Sequence, residues 1–274
     1  MTGAPPAAGG DGRIGLDCGR QHATVAAVAE MKSDEAKVFL TAEWRYLAML
    51  NYEIEPAVLA PFVPQGTELD SFDGKTFVSI VAFLFLDTRI GGIPIPFHRN
   101  FEEVNLRFYV RRKAADGWRR GVVFIKEIVP RSAIAFVARK FYNENYVALP
   151  MSHRIEIVQE EVRSVSYSWR LDGYESILKL AVHGSAQPFV DGSIQGFITE
   201  HYWGYARQRD GSTMEYRVEH PRWRVWDAKT TELDCQVSGL YGERFGHFLN
   251  QPPSSAFLAD GSEVKVYKGV RLPT

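Results

Sequence analysis

Cysteine is scarce: Cys18 and Cys235 are the only two in 274 residues. Thiols this few and this far apart support neither a disulfide framework nor a thiolate metal cage, and a reducing, cytoplasmic setting is the expectation. Long apolar runs are missing too. The longest candidate, Thr76 to Leu86, has the length and composition of a strand and falls short of the roughly 18 uncharged residues that cross a bilayer. No membrane partner is expected. The opening MTGAPPAAGGDG lacks a charged start followed by a leucine-rich core, so it does not read as a secretory signal. Neither sign of charge is in excess, with 32 Lys+Arg against 33 Asp+Glu. A nucleic-acid binder normally carries a basic face or tail, so nucleic acid is not an expected partner. The motifs G-x-G-x-x-G, G-x-x-x-x-G-K-S/T, C-x-x-C, H-E-x-x-H and G-x-S-x-G are all absent. Nucleotide, zinc and α/β-hydrolase readings lose their support with them, and no cofactor is expected. The seven histidines, at 22, 98, 153, 183, 201, 220 and 247, are scattered singly. They read as structural or surface residues, and no metal is expected.

What is present is large flat apolar side chains: 45% of residues are hydrophobic and 13% aromatic. A compact chain of this length buries about three quarters of its unfolded surface. Residues 1–36 are dominated by Ala, Gly and Pro, a composition that cannot offset the entropy of ordering, and are expected to form a flexible N-terminal extension. A single domain is expected over 38–274.

Val38 to Tyr52 reads as a strand with Trp44 and Tyr46 on one face and Arg45 on the other. Glu55-Pro56 opens a short helix. Asp73-Gly74 is a hairpin signal before a long buried strand, TFVSIVAFLFLDTRI. Gly91 to Phe97 (GGIPIPF) reads as a rigid loop. From Phe101 to Arg112 the residues alternate, Val104, Leu106, Phe108 and Val110 on one face and Asn105, Arg107 and Tyr109 on the other. Gly121 to Met151 reads as strand, turn at Pro130, amphipathic helix and extended exit. Its helix is marked by Ser132 as N-cap and by Ile134, Val137, Ala138 and Phe141 on one face. More strands follow over 148–187, His201 to Arg207, Thr213 to Glu219, Trp223 to Trp226 and Glu263 to Val270. Short helices are expected at Ser193 to Thr199 and Leu240 to Leu249. Many antiparallel strands with few short helices indicate an α+β, mainly antiparallel β, fold.

Several residues in apolar surroundings could carry chemistry. If Lys126 points inward, Phe124 and Ile128 desolvate it, and a lysine of depressed pKa can form a Schiff base with a ketone. If it points outward, Lys126 is a structural cation and Glu127 pairs with an arginine such as Arg107. Arg45, Arg107 and Arg139 each need a carboxylate, either a ligand's or the protein's own Glu102, Glu103, Glu127 or Glu144. Tyr142 to Tyr146 either satisfies a helix end or lines a pocket, with Glu144 as acid or base. His220-Pro221-Arg222-Trp223 reads as a packed bend that braces the core.

The segments WRYLAMLNYEIEP, FEEVNLRFYVR, GVVFIKEIVPRSAIAFVARKFYNENYVALPM and HYWGYA followed by VEHPRW resemble the YqjF-like bacterial proteins. That family groups with the acetoacetate decarboxylase-like superfamily, and the resemblance runs from about Val38 to the C-terminus. It implies a closed, barrel- or cone-like antiparallel sheet enclosing an internal cavity, with a few peripheral helices. Acetoacetate decarboxylase works through a Schiff-base lysine with a second lysine beside it, helped by an arginine and a glutamate. The arginine's position matches Arg45. The lysine pair falls near Glu144-Asn145-Tyr146, where this chain has no lysine, and the Gly91 to Phe97 segment replaces the loop that brings the glutamate. The resemblance therefore implies a protein that is not a true acetoacetate decarboxylase. It leaves open a lyase, hydratase, cyclase or isomerase acting on a small carbonyl or carboxylate compound. Glu144 is the expected acid or base and Lys126 the imine candidate, with Lys140 a second lysine that could reach the cavity. Arg45, Arg139, Arg107, Tyr142 and Asn145 are the expected substrate-binding residues. A non-catalytic small-molecule binding protein using the same cavity is the alternative, and a homo-oligomer is the default assembly.

Overall fold

Strand β1, Val38–Ile54, shows how the sheet is built. In its second half Leu47 and Met49 point into one apolar cluster, while Ala48 and Leu50 point into another. Both faces are buried, so the run is almost continuously apolar instead of alternating. The computed structural model describes residues 37–94, 96, 98–130 and 145–273. The expected flexible extension 1–36, the expected helix around residues 132–141, and Arg139, Lys140, Tyr142 and Glu144 lie outside the described residues.

The remaining strands are β2 (Glu68–Leu69), β3 (Thr76–Ile90), β4 (Ile93–Pro94), β5 (Phe101–Ala114), β6 (Gly117–Val129), β7 (Tyr146–Ala148), β8 (Met151–Val158) and β9 (Glu161–Leu171). They continue as β10 (Tyr174–Ala181), β11 (Gln187–Pro188), β12 (Trp203–Arg207), β13 (Thr213–Glu219), β14 (Arg224–Asp227), β15 (Thr230–Asp234), β16 (Ser255–Tyr267) and β17 (Val270–Arg271). The large sheet runs β11-β14-β16-β1-β3-β5-β6-β12-β13-β17, and a four-stranded sheet runs β15-β10-β9-β8. Pairing is antiparallel except where β6 meets β12 and β7. Strand β13 pairs with β12 and also with β16, through Val218↔Val266 and Glu219↔Lys265, so the strand path returns to a strand it has already passed. The protein is mainly antiparallel β with few short helices.

The two clusters give the faces of the large sheet different tasks. One face carries Leu50, Ile80, Leu106 and Phe108 and packs with Trp169 and Leu178 of the small sheet and with Phe245. The other carries Met49, Val81, Phe83, Tyr109 and Phe257, and it is this face that surrounds a cavity.

Three local features differ from the sequence expectation, each for a physical reason. In β1 the pairing with β3 slips between Arg45 and Ala48, and Tyr46 sits at φ 55°. The slip breaks the alternation: Trp44 packs with the cavity-side cluster and Tyr46 with the opposite one. Gly91 and Gly92, at φ 57° and 81°, make a two-residue turn. That turn lets Ile93–Pro94 pair with Arg89 and Ile90 in the segment expected to be loop. The helix expected over Leu240 to Leu249 is two helices, Val237–Tyr241 and Glu243–Leu249, divided at Gly242 with φ 94°.

Candidate functional site

Alternation along β5 places Glu103, Asn105 and Arg107 on the same face, and all three line a cavity of about 190 Å³. Strand β6 brings Glu127 opposite Asn105, and β7 brings Tyr146 opposite Glu127. Asn105 Nδ2 donates to Glu103 at 3.0 Å, and the Tyr146 hydroxyl donates to the same carboxylate at 3.5 Å. Thr199 and His201, at the end of the helix Ile194–Thr199 and just beyond it, reach the cavity from across the sheet, as does His220 after β13. The rest of the lining is mainly aromatic and aliphatic, including Trp44, Phe83, Phe85, Phe124 and Trp223.

A β-bulge decides which neighbours of Lys126 share this cavity. Leu106 pairs with Lys126 but Arg107 pairs with Phe124, leaving Ile125 as the extra residue. Phe124 and Glu127 consequently face the cavity although three positions separate them. Ile125 joins the opposite cluster, and Lys126, between Ile125 and Ile128, sends its Nζ to the Leu240 carbonyl on that side. Burial lowers the Lys126 pKa. The amine is therefore easier to deprotonate, as a buried lysine should be, but it stands on the face of the sheet away from Arg107.

Arg107 is 9% exposed. Its Nη2 donates to the Ile198 carbonyl at 3.3 Å, its guanidinium lies 5.7 Å from the Tyr109 ring, and its Nε has no hydrogen-bond partner. Among the described residues no carboxylate forms an ion pair with it. The pairing with Glu127 considered from sequence is not made. Other buried polar atoms of the lining also lack partners: Trp44 Nε1, Thr88 Oγ1, Asn105 Oδ1 and His201 Nδ1. Buried polar groups left unmade each cost on the order of 1–3 kcal/mol, and here several of them converge on one cavity.

His201 is buried beside Asp70 and Arg120. Burial pushes its pKa down to about 4, with Arg120 and Arg107 adding to the effect and Asp70 opposing it. Burial alone would raise the Asp70 carboxyl, but its contacts with His201 and Arg120 outweigh that and hold it at about 2. Asp70 is 3.8 Å from His201 Nε2, beyond hydrogen-bond reach, whereas Arg120 Nη2 is 3.4 Å away and can only donate. With Nε2 as the acceptor from Arg120, the neutral ring carries its proton on Nδ1, the unpartnered atom. His220 is held the other way. Its Nδ1 donates to the Pro221 carbonyl at 2.9 Å, leaving Nε2 as an acceptor, and burial lowers its pKa. It stacks on Trp223 with ring centroids 4.2 Å apart, so the packed bend read from the sequence also contributes to the cavity wall.

The other residues singled out from the sequence are dispersed. Arg45 pairs with Glu43 at 2.9 Å, donates to the Gly261 carbonyl and lines a second, open depression with Glu160 and Asp260. Asn145 Nδ2 donates to the Ile125 carbonyl, bracing the bulge. Of Arg45, Arg107, Lys126 and Asn145, the described residues expected to bind substrate or act on it, Arg107 alone lines the cavity. Glu103 was legible from β5 alternation, being two residues before Asn105. His201 was not, because nothing in its local sequence marks the contacts that strand pairing creates. Among the described residues no cluster of histidine, cysteine and carboxylate could hold a metal ion.

Residues 41–263 match the DUF2071 family, described as an uncharacterized conserved protein. YqjF of Bacillus subtilis (strain 168) is 25% identical over 219 residues, covering 78% of this chain and 84% of YqjF. The fold is that of the acetoacetate decarboxylases. The Legionella pneumophila enzyme superposes with a TM-score of 0.60 at 12% identity, covering 86% of this chain and 88% of that one. The enduracididine biosynthesis enzyme MppR, complexed with pyruvate, superposes with a TM-score of 0.60 at 11% identity, covering 87% and 91%.

Proposed function

We propose, from the premise that the chain belongs to the DUF2071 family and shares the decarboxylase-like fold, that the protein is an enzyme. It acts on a small carbonyl-bearing carboxylate by acid–base chemistry, without an imine. The observation that carries this is Arg107: a buried guanidinium, free of any ion pair among the described residues, on the wall of a largely apolar cavity. A buried cation is costly unless an anion meets it, and the guanidinium fork suits a carboxylate. In this reading the returning strand path acts as a closed, cone-like wall around the ligand.

Glu103 and Glu127 supply the proton acceptor. With the substrate carboxylate on Arg107, one of these glutamates takes the proton from the carbon next to the carbonyl. The C–H electron pair passes into the enolate, and its oxygen accepts a hydrogen bond from His201 Nδ1. A neutral imidazole is suited to that role because it donates without having to carry a charge into the cavity. Lys126, on the far face of the sheet, takes no part. Glu144, Arg139, Tyr142 and Lys140 are proposed from the sequence alone as further contributors from the neighbouring segment.

The second reading is non-catalytic binding. It is favoured by the hydrogen bonds from Asn105 and Tyr146 to Glu103, which suit a carboxylate that braces the wall. One experiment separates the two readings. The protein is incubated with a panel of 2- and 3-keto acids in deuterium oxide, with proton exchange followed by magnetic resonance and borohydride added to a parallel sample. Exchange in the wild type, reduced about 100-fold or more in Glu103→Gln or Glu127→Gln, and no borohydride adduct on any lysine is the expected result. An adduct at Lys126 or Lys140 would restore the imine. Binding without exchange would make the protein a receptor.

A further inference from the structure

The lining is far more aromatic than a two- or three-carbon acid requires. Trp44 stands at the centre of a ring cluster, its centroid 5.5 Å from Phe83, 5.7 Å from Phe85 and 6.3 Å from Trp223. Phe85 stacks on Phe101 at 4.7 Å. Trp223 carries His220 on its face, and the charge of Arg107 is felt at that imidazole, which joins the aromatic wall to the cationic end.

The strand register sets the spacing. Along β5, Arg107 lies level with Ser79 and Phe124, Asn105 with Val81, Glu103 with Phe83, and Phe101 with Phe85. Each step of two residues is roughly 6.6 Å, so the wall from Arg107 to Glu103 spans roughly 13 Å. A pyruvate-sized acid anchored at Arg107 leaves the layer of Trp44 and Phe83 uncovered. Size agrees with this. An apolar cavity of about 150 Å³ takes a whole benzene ring, and this one measures about 190 Å³ with polar groups along one side.

We infer that the ligand is an aryl-bearing carboxylate, its ring against Trp44, Phe83 and Trp223 and its carboxylate on Arg107. The inference rests on the reading of Arg107 given above and adds the body of the molecule. The Trp44 Nε1–H, buried without a partner, supplies a donor beside the ring site, which fits a ring that carries an acceptor.

Calorimetric titration of the full chain with three probes tests it: phenylpyruvate, pyruvate, and 1-phenylpropan-2-one, which has the ring and ketone but no carboxylate. Phenylpyruvate is expected to bind at least about tenfold more tightly than either of the others. Pyruvate binding as tightly as phenylpyruvate overturns the aryl site and leaves the Arg107 anchor standing. The phenyl ketone binding as tightly as phenylpyruvate has the opposite meaning: the ring site holds and the carboxylate anchor falls. No binding of any probe at millimolar concentration overturns both. Phe83→Leu, a change that keeps an apolar side chain in the layer that pyruvate leaves uncovered, is expected to weaken phenylpyruvate severalfold and leave pyruvate unaffected, and equal loss for both would count against the ring site.

Discussion

His201 lies between a carboxylate and a guanidinium and still stays neutral, because burial outweighs the Asp70 charge. That balance has a consequence for stability. The folded pKa is depressed from 6.5 to about 4, so between those values the unfolded chain binds more protons than the folded one. The contribution is complete above pH 6.5 and is lost as the pH falls toward 4, an effect of roughly 3 kcal/mol at most. Asp70 adds a second acid limb, present above pH 3.8 and lost toward about 2. Urea denaturation between pH 8 and 4 should therefore show a midpoint that is level above 6.5 and declines below it. His201→Gln should make that decline shallower without removing it, since burial lowers His220 as well. An unchanged slope in the variant would place the titrating group elsewhere.

Secondary-structure elements meet at three points where only glycine fits, and at one of them Gly121 of β6 lies against the Trp203 carbonyl and the Tyr205 ring of β12. Gly204 of β12 lies over Tyr216 of β13, and a Cβ there would sit 2.1 Å from the ring. Gly261 of β16, at φ 79°, faces the Trp44 carbonyl, 1.9 Å from where its Cβ would be. Tyr216 and Trp44 both line the cavity, so these close approaches set its walls. Gly204→Ala should cost about 1–3 kcal/mol, read as a lowered denaturation midpoint, because overpacking forces the ring or the strand to move. It should also weaken ligand binding through Tyr216. A variant as stable as the wild type, with unaltered binding, would mean that β12 and β13 separate easily. At this scale much was legible in the sequence. Alternation gave the faces of β5, and the short helix expected over Ser193 to Thr199 is present, with Ser193 as its N-cap and Thr199 as its last residue. The bulges in β1 and β6 were not legible. One extra residue exchanges the faces of everything beyond it while leaving composition and hydropathy almost unchanged. That is why strict alternation placed Tyr46 with Trp44 and could not separate Lys126 from the cavity.

At the scale of the molecule, the site depends on pairings between distant segments. Arg107 and Ile198 meet across 91 residues, and Arg120 and His201 across 81. No local pattern encodes such meetings, so the polar wall of β5 could be read from the sequence while the histidines opposite it could not. The resemblance to decarboxylase-like proteins conveyed the cavity but assigned its arginine to Arg45, which faces a different depression in this chain. The two sheets should also differ in how readily they open. Strand β3 is buried along its first ten residues, with partners on both sides in β1 and β5. Strand β8 ends the small sheet, and His153, Ile157 and Val158 are exposed along it. Backbone groups on an edge with little apolar cover exchange through local opening, whereas a doubly paired, doubly covered strand exchanges only when the whole structure unfolds. Amide hydrogen exchange should therefore be slowest in β1, β3 and β5 and faster in β8 by orders of magnitude. A ligand bound at Arg107 should slow β5 and β12 further and leave β8 unaffected. Protection that spread equally to β8 would show that the small sheet closes with the site and does not merely back it.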